Sequence, residues 1–402
     1  MKLVSDIRKI VVPRQLRVGV VSDSQLTPYP HKTPTTFERN LLAACRTMKA
    51  LGCNFVVYAG DICNRASKRG YETYKRCFDV AFGEDKPVVL SIMGNHDYYF
   101  HPCPRRLFER ELGQSPWMHY VVNGWHFIGA SPDGCGMHRG YSRVRGWLER
   151  ELTAATSDGS SRPVFVITHN APRGTVYGSD RWGDDSLDGL FDAYPRVVNF
   201  SGHTHYSLLD ERSFWRGRFA AFNTQSLSYV EMEKGKANGS VPPLAHSAPM
   251  GYVMDLEGDT ATVMRYNMLT GKEELPERRV ILPARGSAPS SSPPVFGRGG
   301  GRARNTPEGT LITFPRAKNA HSYELGYPDG EVQTYFSDFY LGDREEGEEE
   351  TLLIFGRRAG RTDITVTALS SSGERSAESI VIKGADVLAR KYRRKLAPEI
   401  WY

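Results

Sequence analysis

Val88-Val89-Leu90-Ser91-Ile92-Met93-Gly94-Asn95-His96-Asp97 decides the fold. A strand-type apolar run, Val88 to Met93, stops at a glycine and then presents three side chains able to bind a metal or move a proton. The same construction recurs along the chain. Leu16 to Val21 ends at Ser22-Asp23, Phe55 to Ala59 at Gly60-Asp61, Val164 to Thr168 at His169, and Val197 to Ser201 at Gly202-His203-Thr204-His205. Helical periods separate the first three runs. Thr35 and Glu38 have capping-box spacing around Phe37, Leu41, Cys45, Met48 and Leu51, and Tyr71, Tyr74, Phe78 and Ala81 mark a second helix. The order β, α, β, α, β predicts an α/β fold, whose ligands gather in the crevice beyond the carboxyl ends of the strands.

Further along, Val121-Val122-Asn123-Gly124-Trp125 reads as a hairpin and Val144 to Leu152 as a helix. Ala220 to Thr224, Gly251 to Leu256 and Thr260 to Tyr266 follow one another without helices and suggest a second sheet packed on the first. Residues 282–307 contain Ser290-Ser291-Ser292-Pro293-Pro294 and Gly299-Gly300-Gly301 and read as a flexible linker. Residues 308–384 carry short strand-type runs with turns such as Pro328-Asp329-Gly330, the pattern of a small all-β sandwich. The expected division is a domain over 1–281, the linker, the sandwich, and a basic helix or tail over 385–402.

The chain has 402 residues, 40% hydrophobic and 24% charged, with 52 Lys+Arg against 46 Asp+Glu for a net charge of +6. No apolar run of about 18 residues exists, so no membrane-spanning segment is expected. The excess charge is local: the linker contributes four arginines and no acids, and residues 385–402 five basic and two acidic groups. The remainder is nearly neutral, so the charge says little about nucleic acid, and no nucleic-acid partner is expected. The six cysteines form no C-x-x-C pair, so reduced thiols are expected and neither a thiolate zinc site nor a disulfide framework is. The N-terminus lacks the apolar run of a signal peptide, giving a cytoplasmic expectation, or a secreted or periplasmic one if a leader has been removed.

Asp23, Asp61, Asn95, His169 and the pair His203 and His205 thus stand at five strand ends. Mixed oxygen and imidazole donors suit Mn, Fe, Zn or Ni better than Ca. A dinuclear site is the natural inference, since two divalent ions held by a shared anionic ligand clamp both oxygens of an in-line displacement at phosphorus. Two such ions outweigh Asp23, Asp61 and one hydroxide, so the site attracts an anion without a basic surface.

Gly60-Asp61, Gly94-Asn95-His96-Asp97, His169 and Gly202-His203-Thr204-His205 resemble, in order and spacing, the motifs of calcineurin-like metallophosphoesterases over roughly residues 15–280. The resemblance implies a four-layer α/β/β/α sandwich that hydrolyses a phosphomonoester or phosphodiester through a metal-bridging hydroxide. By position it implies that Asp61 bridges two metals, that Asp23 and His205 hold the first, and that Asn95, His169 and His203 hold the second. It also puts His96 beside the substrate, stabilising the transition state or protonating the leaving oxygen, with Asp97 orienting it. One departure is visible. The family's first motif is usually Asp-x-His, and here Asp23-Ser24-Gln25 offers an amide oxygen as the first-metal ligand, a weaker donor. Arg173 and Arg181, between His169 and His203, are candidate phosphate contacts, and Tyr98 a wall of the cleft.

Blander readings cover the rest. Cys63 reads as buried filler, Glu345–Glu350 as a solvated loop and Arg390–Lys395 as a solvated helix face. His31, His101 and the other histidines outside the motifs are surface or hydrogen-bonded, with His31 and His101 notable for following ligand-bearing loops. Residues 308–384 resemble a fibronectin type III module, a class that binds or braces. The competing functional reading is a catalytically weak member of the same fold acting as a binding or scaffolding protein, its sandwich engaging a glycan or protein partner.

Overall fold

The computed structural model describes residues 7–136, 139–242, 244–283, 292–306, 309–341, 349–354 and 361–386. The chain forms two compact units: unit 1 is residues 1–231 with 244–289, and unit 2 is residues 232–243 with 290–402.

In unit 1 the chain runs through β1 (Ile7–Ile10), β2 (Arg17–Val21), α1 (Thr36–Ala50), β3 (Phe55–Tyr58), α2 (Lys68–Phe82), β4 (Val88–Ser91), α3 (Pro104–Leu112), β5 (Trp117–Val122) and β6 (Trp125–Ala130). It continues through α4 (Arg145–Thr156), β7 (Val164–Thr168), α5 (Ser179–Trp182), β8 (Val197–Ser201), β9 (Phe214–Arg216) and β10 (Ala220–Asn223). Strands β11 (Met250–Glu257), β12 (Thr260–Asn267), β13 (Glu273–Glu274) and β14 (Val280–Leu282) complete it. Local chemistry explains several boundaries. Thr35 caps α1, its Oγ1 accepting the Glu38 N–H at 3.2 Å. Asn123 and Gly124 have φ of 49° and 81°, as a two-residue type I′ turn between β5 and β6 demands.

One sheet has the order β13-β12-β11-β2-β3-β4, with β14 also on β12; the other is β1-β5-β6-β7-β8-β10-β9. Helices α1 and α2 cover the first sheet, with Leu41, Met48, Tyr71 and Phe78 against Val56 and Tyr58. Helix α4 covers the second, with Trp147, Leu148 and Leu152 against Ile128 and Val166. Between the sheets runs an aromatic seam: Phe55 lies 4.6 Å from Phe127, and Phe200 lies 6.0 Å from Tyr252, ring centre to ring centre. The layers are therefore α/β/β/α. The three late strands do not form a sheet together, as their sequence order suggested. Residues 220–223 pair parallel with β8 in the second sheet, while β11 joins β2 antiparallel in the first. Among the described residues no helix is long and apolar enough to cross a membrane.

Unit 2 is built from β15 (Val295–Phe296), β16 (Arg302–Thr306), β17 (Gly309–Pro315), β18 (Ala317–Lys318), β19 (Ser322–Gly326), β20 (Val332–Phe336), β21 (Glu349–Ile354), β22 (Arg361–Leu369) and β23 (Ile380–Asp386). Sheets β16-β17-β21 and β20-β19-β22-β23 are antiparallel and share one core that includes Ile312, Phe314, Tyr323, Leu352, Ile364 and Val366. Part of the stretch read as linker, 282–307, is strand. Leu282 ends β14, and Arg302–Thr306 pairs with β17, where Arg302 meets Glu349 at 2.5 Å. Arg302 and Arg304 sit on this edge strand, which a composition count does not distinguish from a solvated linker. Residues 284–291 lie outside the described residues. Glu349 and Glu350, read as loop, are in β21, and Glu350 is fully buried. Glu345–Glu348 and the basic tail at 390–395 lie outside the described residues.

Candidate metal centre

The strand ends of both sheets converge. Asp61, His169 and His203 each offer a ligand atom within 4.8 Å of the others, and so do Asp23, Asp61 and His205. Asp61 is common to both groups. Asp23, Gln25, Asp61, His203 and His205 all have positive φ, between 45° and 69°. Non-glycine residues enter that region at a cost, and a concentration of them marks a place where surroundings hold the backbone for a purpose other than stability. The glycines ahead of them are needed for close approach. A Cβ on Gly94 would collide with Asp61 Oδ1, and one on Gly202 with Asp23 Oδ2.

Each imidazole is oriented from behind. His169 Nδ1 donates to the Ala59 carbonyl at 2.9 Å, leaving Nε2 to face Asn95 Oδ1 at 3.0 Å and Asp61 Oδ1 at 3.4 Å. His205 Nδ1 donates to the Tyr229 carbonyl at 3.1 Å, leaving Nε2 3.1 Å from Asp23 Oδ1. This backbone-fixed tautomer is the arrangement that exposes a lone pair to a metal. Gln25 reaches the same place, its amide nitrogen 3.4 Å from His205 Nε2. His203 Nε2 is buried without a hydrogen-bond partner. An orphaned imidazole nitrogen among two carboxylates and two further histidines fits a cation, and a divalent ion would satisfy it.

The electrostatics agree. Burial works to raise the Asp61 carboxyl, but His169 and His96 hold it well below the ordinary carboxylate range. Burial works to lower His169, but the Asp61 carboxylate pushes it up to about 9. His203 is driven down, first by burial and then by the charge of His169.

His96 sits at the edge of this group, its ring about a third exposed with Nε2 4.0 Å from Asp61 Oδ2. Its backbone N–H donates to Asp61 Oδ1 at 2.8 Å, and its Nδ1 lies 3.0 Å from the Asn64 carbonyl. That carbonyl, and not Asp97, fixes the ring. Asp97 is fully buried and accepts the N–H groups of Ile62, Cys63 and Gly94 at 3.1, 3.0 and 3.0 Å, plus the Tyr71 hydroxyl at 3.3 Å. It locks the loop after β3 to the loop after β4, so it is a positioning residue. Tyr98 also differs from expectation. Its hydroxyl donates to the Pro132 carbonyl at 2.5 Å, whereas Tyr99 faces the site, its hydroxyl 3.0 Å from Asn95 Nδ2 and its ring 4.9 Å from His96. Arg173 is tied to Asp185 and the Asp180 carbonyl. Arg181 instead lies 4.4 Å over the Trp182 ring, which meets His203 edge-on at 5.8 Å. Trp182, Tyr229 and Asn64 escaped the sequence reading because they lie outside the strand-end motifs; a lone aromatic in a loop has no spacing to betray it.

The sequence matches the calcineurin-like phosphoesterase family over residues 16–207. No curated protein matches the chain. Among solved structures it is similar to a dimetal phosphatase from Danio rerio (12% identity, TM-score 0.45, 63% of this chain and 96% of that one). It is also similar to a purple acid phosphatase from yellow lupin seeds (12% identity, TM-score 0.45, 65% of this chain and 53% of that one). A third is vacuolar protein sorting 29 from Cryptosporidium parvum (16% identity, TM-score 0.34, 66% of this chain and 96% of that one). The family implies divalent metal ions, and the donors gathered here suit them. Residues 16–207, which carry every side chain of this centre, belong to the calcineurin-like phosphoesterases.

Proposed function

We propose that unit 1 hydrolyses a phosphate ester, a monoester or a diester, with two divalent ions drawn from Mn, Fe, Zn and Ni. Asp23, Gln25, Asp61 and His205 would hold one ion, and Asp61, Asn95, His169 and His203 the other. When bound, such ions supply Lewis-acid charge for the phosphoryl oxygens and lower the pKa of water. The chain's own residues do the rest. The Ala59 and Tyr229 carbonyls hold His169 and His205 in the tautomer that presents Nε2. His96, fixed through Nδ1 by Asn64, keeps Nε2 toward the cleft, where it delivers a proton to the departing alkoxide. Asp97 maintains the spacing of the two loops that carry Asp61 and His96. The observation that supports this reading best is the buried, partnerless Nε2 of His203 beside two carboxylates.

The test is turnover of nucleotides, cyclic nucleotides, phosphopeptides, sugar phosphates and phosphodiesters in Mn²⁺, with metal content by mass spectrometry and His96→Ala as control. Hydrolysis that falls in His96→Ala while metal content holds supports the assignment. Gln25 favours a second reading, a weakly catalytic binding protein. Fewer than one tightly bound metal per chain and no turnover would select it. Unit 2, with three- and four-stranded antiparallel sheets, we assign to the fibronectin type III kind and to no part of the chemistry.

A further inference from the structure

The segment from Leu26 to Thr35, which follows directly on Gln25, arches over a cavity of about 310 Å³ against the first turns of α1 and α2. Two backbone bonds stitch its start to the loop after Asp61: Leu26 N–H to the Ile62 carbonyl at 2.9 Å, and Asn64 N–H to the Leu26 carbonyl at 3.0 Å. Lys32, Glu38, Arg69, Arg76 and His31 line the cavity. Arg76 is neutralised by Glu38 at 2.6 Å. Lys32 and Arg69 have no carboxylate partner among the described residues, so two positive charges remain. The N-terminus of the fifteen-residue α1, at Thr35 in the cavity wall, adds to the positive potential.

A run of contacts joins this cavity to His96. Tyr29, in the cavity wall, accepts from Arg65 Nη1 at 3.1 Å, and the Arg65 guanidinium lies 4.3 Å over the Phe100 ring. Phe100 is 6.3 Å from Tyr99, whose ring is 4.9 Å from His96. Phe100 is 80% exposed and held at φ 62°. An exposed phenylalanine in the left-handed region contributes neither core packing nor a relaxed turn, and its ring carries the Arg65 guanidinium between Tyr99 and Tyr29.

Resting on the phosphoesterase reading, we infer that the cavity receives the leaving group and that the physiological substrate carries a second phosphate there, bound by Lys32 and Arg69. Guanidinium and ammonium donors flanked by threonine hydroxyls suit a phosphate, and a second anion on the substrate is what these unpaired cations would discriminate.

The experiment compares p-nitrophenyl phosphate, which has one phosphate, with bisphosphates of increasing separation and their monophosphate counterparts, on the full chain in Mn²⁺. At least one bisphosphate is expected to exceed its monophosphate counterpart by about tenfold or more in kcat/KM. In the double variant Lys32→Ala/Arg69→Ala that ratio falls by about the same factor, mainly through KM, while Arg69→Lys retains most of it. Calorimetric binding of the same bisphosphate to Asp61→Asn, with and without the double substitution, reads the subsite independently of turnover. A ratio near one for the wild type, or an unchanged ratio and affinity in the double variant, overturns the inference. If no ester is hydrolysed at all, the phosphoesterase reading fails, and the calorimetric pair still decides the subsite.

Discussion

Two buried polar clusters, one in each unit, differ in how their carboxylates are balanced. In unit 2, Glu350 is fully buried and accepts from Arg316 Nε at 3.2 Å, Ser337 Oγ at 2.8 Å and the Asp338 N–H at 2.5 Å, while Arg316 also holds Asp338 at 2.6 Å. The chain supplies its own cation, and the neighbouring backbone is ordinary extended strand. In unit 1, Asp23 and Asp61 are as buried, yet no Lys or Arg pairs with either among the described residues, the backbone is left-handed at five positions, and His203 Nε2 is orphaned. A carboxylate cluster closed by an arginine braces a fold; one faced only by imidazoles, His169 and His96 on Asp61 and His205 on Asp23, with the His203 nitrogen left over, is arranged for a further cation.

The comparison breaks most visibly at Asp61. Asp61→Asn should leave the full chain folded by circular dichroism, because the buried amide keeps the shape. Bound metal should drop below one ion per chain, and hydrolysis should fall on the order of 10³-fold, since several kcal/mol of transition-state charge stabilisation are lost. Activity at the wild-type level would remove the dinuclear assignment. The converse substitution, Arg316→Ala, strands Glu350 without its cation. It should cost about 3–5 kcal/mol in denaturant unfolding of the full chain, with metal content and turnover unchanged. A loss of metal in that variant would mean that the two clusters are not independent.

Much of the centre was legible because metal chemistry needs particular residue types where strands stop. Asp23, Asp61, Asn95, His169, His203 and His205 could be picked out from short continuous apolar runs that stop at a donor, with glycine just before Asp61, Asn95 and His203. What supports them was not. The carbonyls of Ala59, Asn64 and Tyr229 orient three imidazoles, and a backbone carbonyl leaves no mark on residue identity. The orienting role of Asp97 came from the family resemblance alone, whereas in the structure its partners are three backbone amides and the Tyr71 hydroxyl. The strands over residues 220–266 read as one sheet because short apolar runs of the same kind serve parallel addition to β8 and antiparallel addition to β2. In unit 2, β16 was hidden by Arg302 and Arg304, charges that an edge strand uses to blunt its open side.

The smallest expected effect sharpens the comparison most finely, because it concerns the one donor in unit 1 that departs from the family. Gln25 stands beside His205 at 3.4 Å with φ 45°, a position already shaped for a ligand. An amide oxygen is a poorer donor than imidazole for Mn, Fe, Zn or Ni, so the site nearest Asp23 should exchange its ion more readily than the one nearest His169. Gln25→His should therefore tighten that site by roughly tenfold, the scale on which single changes around a metal alter affinity. Titration with Mn²⁺ under limiting metal, read by metal content and by turnover, would show half-saturation moving to lower concentration while turnover at saturation changes little. If both curves superimpose on the wild type, Gln25 does not touch the metal, and the first site is completed by Asp23, Asp61 and His205 alone.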